Sequence, residues 1–301
     1  MRISASLTSS LPGIDPRLAV RNAVARACAA NDAGLDAIFV GDHHANKETY
    51  LQNTPFLGRL LAEWGDRPAG CLFLFPLWNP VLLAEQVGTL AAIASGRFIV
   101  QTGLGAGPEF PAMGANPRTR PSAFEEGVAI VRRLLAGETV SSDGRFRFEK
   151  ARIAPTPQEP VEIWIGASAD VGIDRAARIG DGWLGAPHLT PDHAREQAAR
   201  YLGAAAREGR PPTAVALRRD VYIAADEKDA AAVRDHATAS GYRRMPPSAL
   251  VIATIDRAAD ELRSYAQMGY TDIVIRHLVD DQSQVLASYE RLGEVRRRLA
   301  G

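Results

Sequence analysis

Apolar residues in this chain fall into short runs separated by longer stretches of helical periodicity. Arg2–Ser6, Asp36–Gly41, Gly70–Phe75, Arg97–Thr102, Val161–Ile165, Gly182–Gly185, Ala214–Ala224 and Thr271–Arg276 read as strands. Gly70–Phe75 is apolar almost throughout, as a strand covered on both faces is. Between the runs, Leu18–Ala33, Val81–Ala94, the segment after Pro121, Val171–Ile179, Thr190–Arg207, Asp226–Ser240, Arg257–Met268 and Ser283–Leu299 read as helices. After Pro121, the residues Phe124, Val128, Val131 and Leu135 share one helical face, and Ser122 with Glu125 has the spacing of a capping box. Thr190-Pro191 is a helix start, with Thr as cap and Pro in the first position.

Strands alternating with helices predict a parallel sheet joined by right-handed crossovers. Eight such units predict an α/β fold, a closed (β/α)8 TIM barrel with insertion segments. An open doubly wound sheet is the alternative. One domain over residues 1–301 is the simplest organisation. Three stretches interrupt the alternation: Gly103–Arg120, rich in Gly and Pro and too long for an ordinary connection; Thr139–Ile153, a hairpin turning at Asp143-Gly144; and an irregular stretch around Pro246-Pro247.

Composition narrows the partners. With 301 residues, 46% hydrophobic, the chain can build a substantial core. Its 35 basic and 35 acidic residues balance, which argues against nucleic acid or an anionic membrane as the main partner. A small-molecule ligand is expected. Cys28 and Cys71 are isolated and read as buried thiols, not a disulfide. The chain has no 18-residue apolar run and no signal-peptide core, so a cytoplasmic location is expected.

The candidate chemistry sits where strands end, which is where parallel α/β folds bind ligands. Ala37-Ile38-Phe39-Val40-Gly41 runs into Asp42-His43-His44. Neighbouring strand residues face opposite ways, so one of the two histidines should turn toward the barrel axis, where it can move a proton near neutral pH. Adjacent histidines diverge, so no metal site is read here. Ile99-Val100-Gln101-Thr102 runs into Gly103-Leu104-Gly105-Ala106-Gly107, which fails as a dinucleotide fingerprint because Pro108 stands where the third glycine belongs. What remains is bare backbone that lets a flat ligand approach, with Glu109 just beyond. Gly166-Ala167-Ser168 precedes a helix and could hold a phosphate, with Arg118 or Arg120 as cation; an ordinary Ser cap is the competing reading. Trp78 and Trp183 sit near strand ends and could wall a flat ligand or simply be core.

In this order the segments resemble the bacterial-luciferase-like flavin- and F420-dependent oxidoreductases. The stretches that carry the resemblance are Asp36–His44, Asn79–Val87, Ser95-Gly96-Arg97-Phe98 with the glycines to Gly107, Glu109-Phe110 with Met113-Gly114, Glu125/Glu126 before a helix ending Leu134-Leu135-Ala136-Gly137, and Trp164–Ser168 with Gly180-Asp181-Gly182-Trp183. The resemblance implies a barrel that binds F420, or alternatively FMN, as a dissociable co-substrate. It implies His43 and Glu109 as catalytic residues. It implies cofactor contacts from Asp42, His44, Leu74, Phe75, Asn79, Thr102, Gly103, Gly105, Arg118, Arg120, Gly166, Ala167 and Ser168, with a non-prolyl cis peptide near Leu74-Phe75. A homodimer and a separate flavin or F420 reductase are the implied partners. Asp-His favours F420; the second histidine speaks for FMN. Ala45-Asn46-Lys47 stands where sugar-phosphate dehydrogenases of this type place a tryptophan, which argues against that substrate.

The implied activity is hydride transfer to, or monooxygenation of, a small organic molecule. A non-redox phosphate-binding lyase or isomerase is one alternative, weakened because Lys47, Lys150 and Lys228 are the only lysines and none stands at a strand end. A flavin-binding protein without turnover is the other.

Overall fold

The computed structural model describes residues 1–105 and 109–300. The glycine-rich run therefore continues through Ala106 and Gly107, with Pro108, outside the described residues. Eleven strands are present among those described: β1 (Arg2–Leu7), β2 (Ile38–Val40), β3 (Ala69–Phe73), β4 (Phe98–Thr102), β5 (Val140–Ser142), β6 (Phe148–Ala151), β7 (Glu162–Gly166), β8 (Gly182–Gly185), β9 (Ala214–Ile223), β10 (Leu250–Ala253) and β11 (Asp272–His277). The helices are α1 (Pro16–Asp32), α2 (Asn53–Leu61), α3 (Pro80–Ile93), α4 (Glu109–Ala112), α5 (Arg120–Leu135), α6 (Asp170–Ile179), α7 (Pro191–Arg207), α8 (Glu227–Ala239), α9 (Ile255–Gln267) and α10 (Gln282–Ala300). None is long and apolar enough to cross a membrane among the described residues.

Eight parallel strands close in the order β1-β2-β3-β4-β7-β8-β9-β11, with β11 returning to β1. The (β/α)8 barrel is the predicted fold. β9 is ten residues long and makes the closure possible: its first half pairs with β8, its middle with β11, and its end with β10. β10 is a correction to the sequence reading. Four apolar residues following Pro-Pro-Ser-Ala are too few to show a period, and the strand forms because β9 overhangs the barrel and offers it an edge.

Alternation along the strands divides the core in two. Ala37, Phe39, Ile99, Trp164, Ala214, Ala216 and Val274 fill the barrel axis, with Phe39 tilted against Trp164 at 5.6 Å. Their neighbours Ile38, Val40, Val100, Ile163, Ile165, Val215, Leu217, Ile273 and Ile275 face outward into the layer of helices. The axis is plugged at its lower end by Glu162, which takes hydrogen bonds from the Trp164 indole (2.9 Å) and the Thr213 hydroxyl (2.7 Å) and pairs with Arg97. Toward the upper end the inward positions include Gln101 on β4, Arg218 on β9 and Arg276 on β11.

Two insertions resolve into structure. β5 and β6 form the expected antiparallel hairpin, and the Glu126 carboxylate holds its turn by accepting from the Phe146 and Arg145 amides. The Gly103–Arg120 stretch holds α4 and a single 3₁₀ turn at Pro117–Thr119. The expected Ser122/Glu125 capping box does not form. Helix α5 starts three residues earlier, with its cap position at Thr119, Ser122 donates to the Thr119 carbonyl (3.1 Å), and Glu125 turns to Arg175 and Arg178.

Gly70 shows how tightly β3 and β4 approach: a Cβ there would press into the Ile99 carbonyl oxygen and the Phe39 ring. Gly70→Ala is expected to destabilise the barrel by about 1–3 kcal/mol, the usual cost of overpacking. Urea unfolding measures it, and an unchanged midpoint would contradict this packing.

Candidate active site

The mouth of the barrel is organised by the end of β2. Ala37 and Phe39 point inward, so Gly41 and His43 continue on that face while Asp42 points away from it. Asp42 is fully buried. Its Oδ2 accepts from the Leu74 amide (2.8 Å) and the Trp78 indole (2.9 Å), tying β2 to the exit of β3. Its Oδ1 lies 3.3 Å from His44 Nε2, and the His44 ring packs edge-on against Trp78. The Asp42 carboxylate raises the His44 pKa above its ordinary value, against a smaller opposing effect of burial. His44 is therefore part of a scaffold and borders neither of the mouth cavities described below.

His43 has the opposite environment. Its side chain is 53% exposed and borders a cavity, while Nδ1 makes a short contact with Glu109 Oε1. Glu109 opens α4 and is almost entirely buried; Oε2 has no hydrogen-bond partner. A carboxylate on one ring nitrogen sets the tautomer and leaves Nε2 for a ligand. Tyr50 meets the His43 ring edge-on at 5.5 Å, and its hydroxyl comes so near β2 that a Cβ at Gly41 would lie 2.6 Å from it. Burial raises the Tyr50 pKa strongly, so it stands as a neutral phenol beside His43.

Two cavities open here. One, about 460 Å³, is bordered by His43, Tyr50, Ser6, Arg218, Arg243 and Arg276. The other, about 590 Å³, is bordered by Gly103, Gly105, Gly166, Ala167, Ser168 and Arg175. Arg218 borders both. A Cβ at Gly103 would meet nothing nearer than the Gly166 carbonyl at 3.7 Å, so the floor is open backbone; Gly105 has φ +66°, where a side chain is disfavoured. Gln101 faces the axis, and its buried Nε2 lacks a partner. An orphan donor at Gln101 and an orphan acceptor at Glu109 suit a flat ligand whose edges carry both kinds of group. Gly166–Ser168 lead into the N-terminus of α6, where the first-turn N–H groups have no acceptor within the helix. Gly172 lets α6 pack close, since a Cβ there would sit 3.0 Å from that of Ala167.

The structure thus brings together His43, Glu109, Gly103, Gly105, Gly166, Ala167 and Ser168 around the mouth. Other residues singled out from sequence have different engagements. Thr102 donates its hydroxyl to the Phe73 carbonyl (2.8 Å), and Asn79 caps α3 through the Val81 and Leu82 amides. Phe75 is buried against Phe124. Arg120 holds the Gly105 carbonyl (2.7 Å) and lies over the Phe110 ring, so it shapes the floor; Arg118 borders neither cavity. The cis bond expected near Leu74-Phe75 is corrected: among the described residues the one cis peptide is Ala154-Pro155. The cations that do border the cavities, Arg175, Arg218, Arg243 and Arg276, were missed. Arg218 had a readable signal, since Ala214, Ala216 and Arg218 share one face of β9 at a period of two.

The profile of the luciferase-like monooxygenase family matches residues 1–287. An F420-dependent hydroxymycolic acid dehydrogenase of Mycobacterium tuberculosis is 30% identical over 225 residues, covering 70% of this chain and 61% of that protein, so the match spans about three fifths of its length. An F420-dependent glucose-6-phosphate dehydrogenase of Intrasporangium calvum is 25% identical over 303 residues, covering 86% of this chain and 90% of that one. Among solved structures, an F420-dependent secondary alcohol dehydrogenase in complex with an F420-acetone adduct superposes with a TM-score of 0.80 at 20% identity, covering 99% of each chain.

The His44–Asp42 pair carries a pH signature. Because the folded-state pKa of His44 is raised, its stabilisation is complete below the ordinary histidine value of about 6.5 and is lost as pH rises through the folded value. The stability advantage of the parent chain over His44→Gln is expected to hold at acid pH and to shrink as pH rises from about 6.5 toward 8. Urea unfolding across that range tests this, and a pH-independent difference would refute it.

Proposed function

The chain belongs to the luciferase-like monooxygenase family, and on that premise we propose that it is an F420-dependent oxidoreductase acting on a small alcohol or carbonyl compound. The observation that carries the reading is the His43–Glu109 pair beside an open glycine floor at the barrel mouth. F420 is favoured over FMN by Asp42-His43 and by the F420-dependent relatives. The second histidine, which spoke for FMN, is turned to Asp42 and borders neither cavity.

The residues present fit such a cofactor. Gly103, Gly105 and Gln101 would hold its ring, and Gly166, Ala167 and Ser168 with Arg175 its phosphate. When bound, F420 supplies hydride exchange with a substrate carbon; the protein supplies orientation and protons. His43 Nε2 takes the hydroxyl proton as an alcohol is oxidised, or returns it as a carbonyl is reduced. Glu109 keeps Nδ1 engaged, so the ring cannot turn its donor toward the substrate. The buried phenol of Tyr50 supports the opposite side of the imidazole. A dissociable co-substrate also needs a second enzyme to restore it, which makes a reductase or oxidase part of the proposal.

The test is fluorescence titration with F420 and, separately, FMN, followed by F420 turnover with a panel of secondary alcohols. Tight F420 binding is expected, with His43→Gln keeping that binding while kcat falls about 10²–10⁴-fold, the usual contribution of a general acid–base group. If neither cofactor binds, the proposal fails. If His43→Gln keeps its kcat, the role assigned to His43 fails.

A further inference from the structure

The cavity beside His43 has an unusual charge arrangement. Arg218 on β9, Arg276 on β11 and Arg243 on the segment after α8 converge on Asp220, the next inward position on β9. Asp220 is fully buried. It takes Arg243 Nη1 at 3.1 Å, Arg218 Nη2 at 3.4 Å and the Tyr242 hydroxyl at 2.9 Å, with Arg276 Nε at 3.9 Å. One carboxylate thus serves three guanidinium groups, and all three border the cavity. The Nε atoms of Arg218 and Arg276 are buried without a hydrogen-bond acceptor.

This arrangement is costly as it stands. Like charges repel, and an unpaired buried guanidinium N–H forfeits its hydration. Burial and the neighbouring Arg276 and Arg243 lower the Arg218 pKa to about 10, with Asp220 opposing. Arg243 and its neighbour Arg244 also hold φ values of +46° and +55°, which residues with side chains rarely adopt. The acidic residue that borders this cavity, Asp280, lies near Arg26, which also donates to its backbone carbonyl. Asp220 therefore leaves about two positive charges uncompensated, facing the same space as His43.

We propose that this cavity receives an oxoanion, a phosphate or carboxylate borne by the substrate, and that Arg218, Arg243 and Arg276 grip it while His43 meets the reacting hydroxyl or carbonyl. Planar guanidinium groups suit such an anion because they donate in pairs. The inference deepens the oxidoreductase reading and uses it only in assigning the anion to the substrate.

The probe is inorganic phosphate added to the full chain without cofactor, with acetate as the carboxylate probe and chloride at matched ionic strength as control. Thermal unfolding midpoints report binding. A saturable rise with phosphate or acetate beyond that with chloride is expected. Arg243→Gln and Arg276→Gln should each weaken it roughly tenfold or more. Asp220→Asn should tighten it by removing the competing carboxylate, an effect that a purely structural cluster would not produce. Arg175→Gln, on the other cavity where the cofactor phosphate would sit, should leave intact the part of the rise that Arg243→Gln removes. Arg243 is on the rim, so its variant is the one least exposed to misfolding. The proposal is overturned if neither anion outperforms chloride, or if binding depends on Arg175 and not on Arg243 and Arg276. Phosphate binding through Arg243 in a chain that ignores F420 would sink the cofactor reading and leave this site standing. F420 binding without oxoanion binding would do the reverse.

Discussion

The buried carboxylate of Asp42 is the constraint on which the mouth of this barrel depends. A charge removed from water has to be met by donors, and Asp42 meets the Leu74 amide, the Trp78 indole and His44. These contacts fasten the end of β2 to the exit of β3 and fix the side to which Asp42 turns. With Asp42 outward, strand alternation leaves His43 no choice but the cavity. His43 is therefore aimed by its neighbour's burial, while its own side chain stays half exposed at the cavity.

Charge is then distributed by position around the rim. On one side stand a buried carboxylate, Glu109, and the imidazole it holds. On the other stand guanidinium groups: Arg175, anchored by Glu125, and the three around Asp220. Each is held by an acidic partner behind it, which is how a chain with zero formal net charge builds a strongly basic mouth. Partnered arginines have fewer geometries to lose on binding, so the anchoring carboxylates preorganise the site while neutralising only part of its charge.

Sequence patterning revealed the barrel because buried parallel strands leave continuous apolar runs, and eight of these survive unmixed between helices. It missed β10, whose four residues follow from the overhang of β9 and not from any period of their own. The capping-box spacing of Ser122 and Glu125 misled for a similar reason: tertiary partners, Arg175 and Arg178, outcompete a local bond. At the site, His43 and the glycine floor were legible because strand ends mark the mouth and period two assigns a face. Thr102 and Asn79 were placed at the mouth by the family resemblance, yet Thr102 follows Gln101 and so turns outward to Phe73. Applied consistently, the same alternation picks Gln101, Arg218 and Arg276 as the inward residues. Arg175 was beyond such reasoning, since it lies on a helix and is held by Glu125, fifty residues away in sequence.

The division of the barrel into a packed lower axis and an open upper rim explains how one scaffold supports both stability and selectivity. Phe39 and Trp164 close the axis below the mouth, so the rim can carry glycines, orphan polar atoms and repelling cations whose cost is borne by the core. Arg218 is the point where the two sides of the rim meet, because it borders both cavities. A ligand in the glycine-floored cavity and an anion in the arginine-lined one would draw on the same guanidinium. That one side chain stands between the two cavities follows from its inward position on β9, next to the carboxylate of Asp220 that it pairs with.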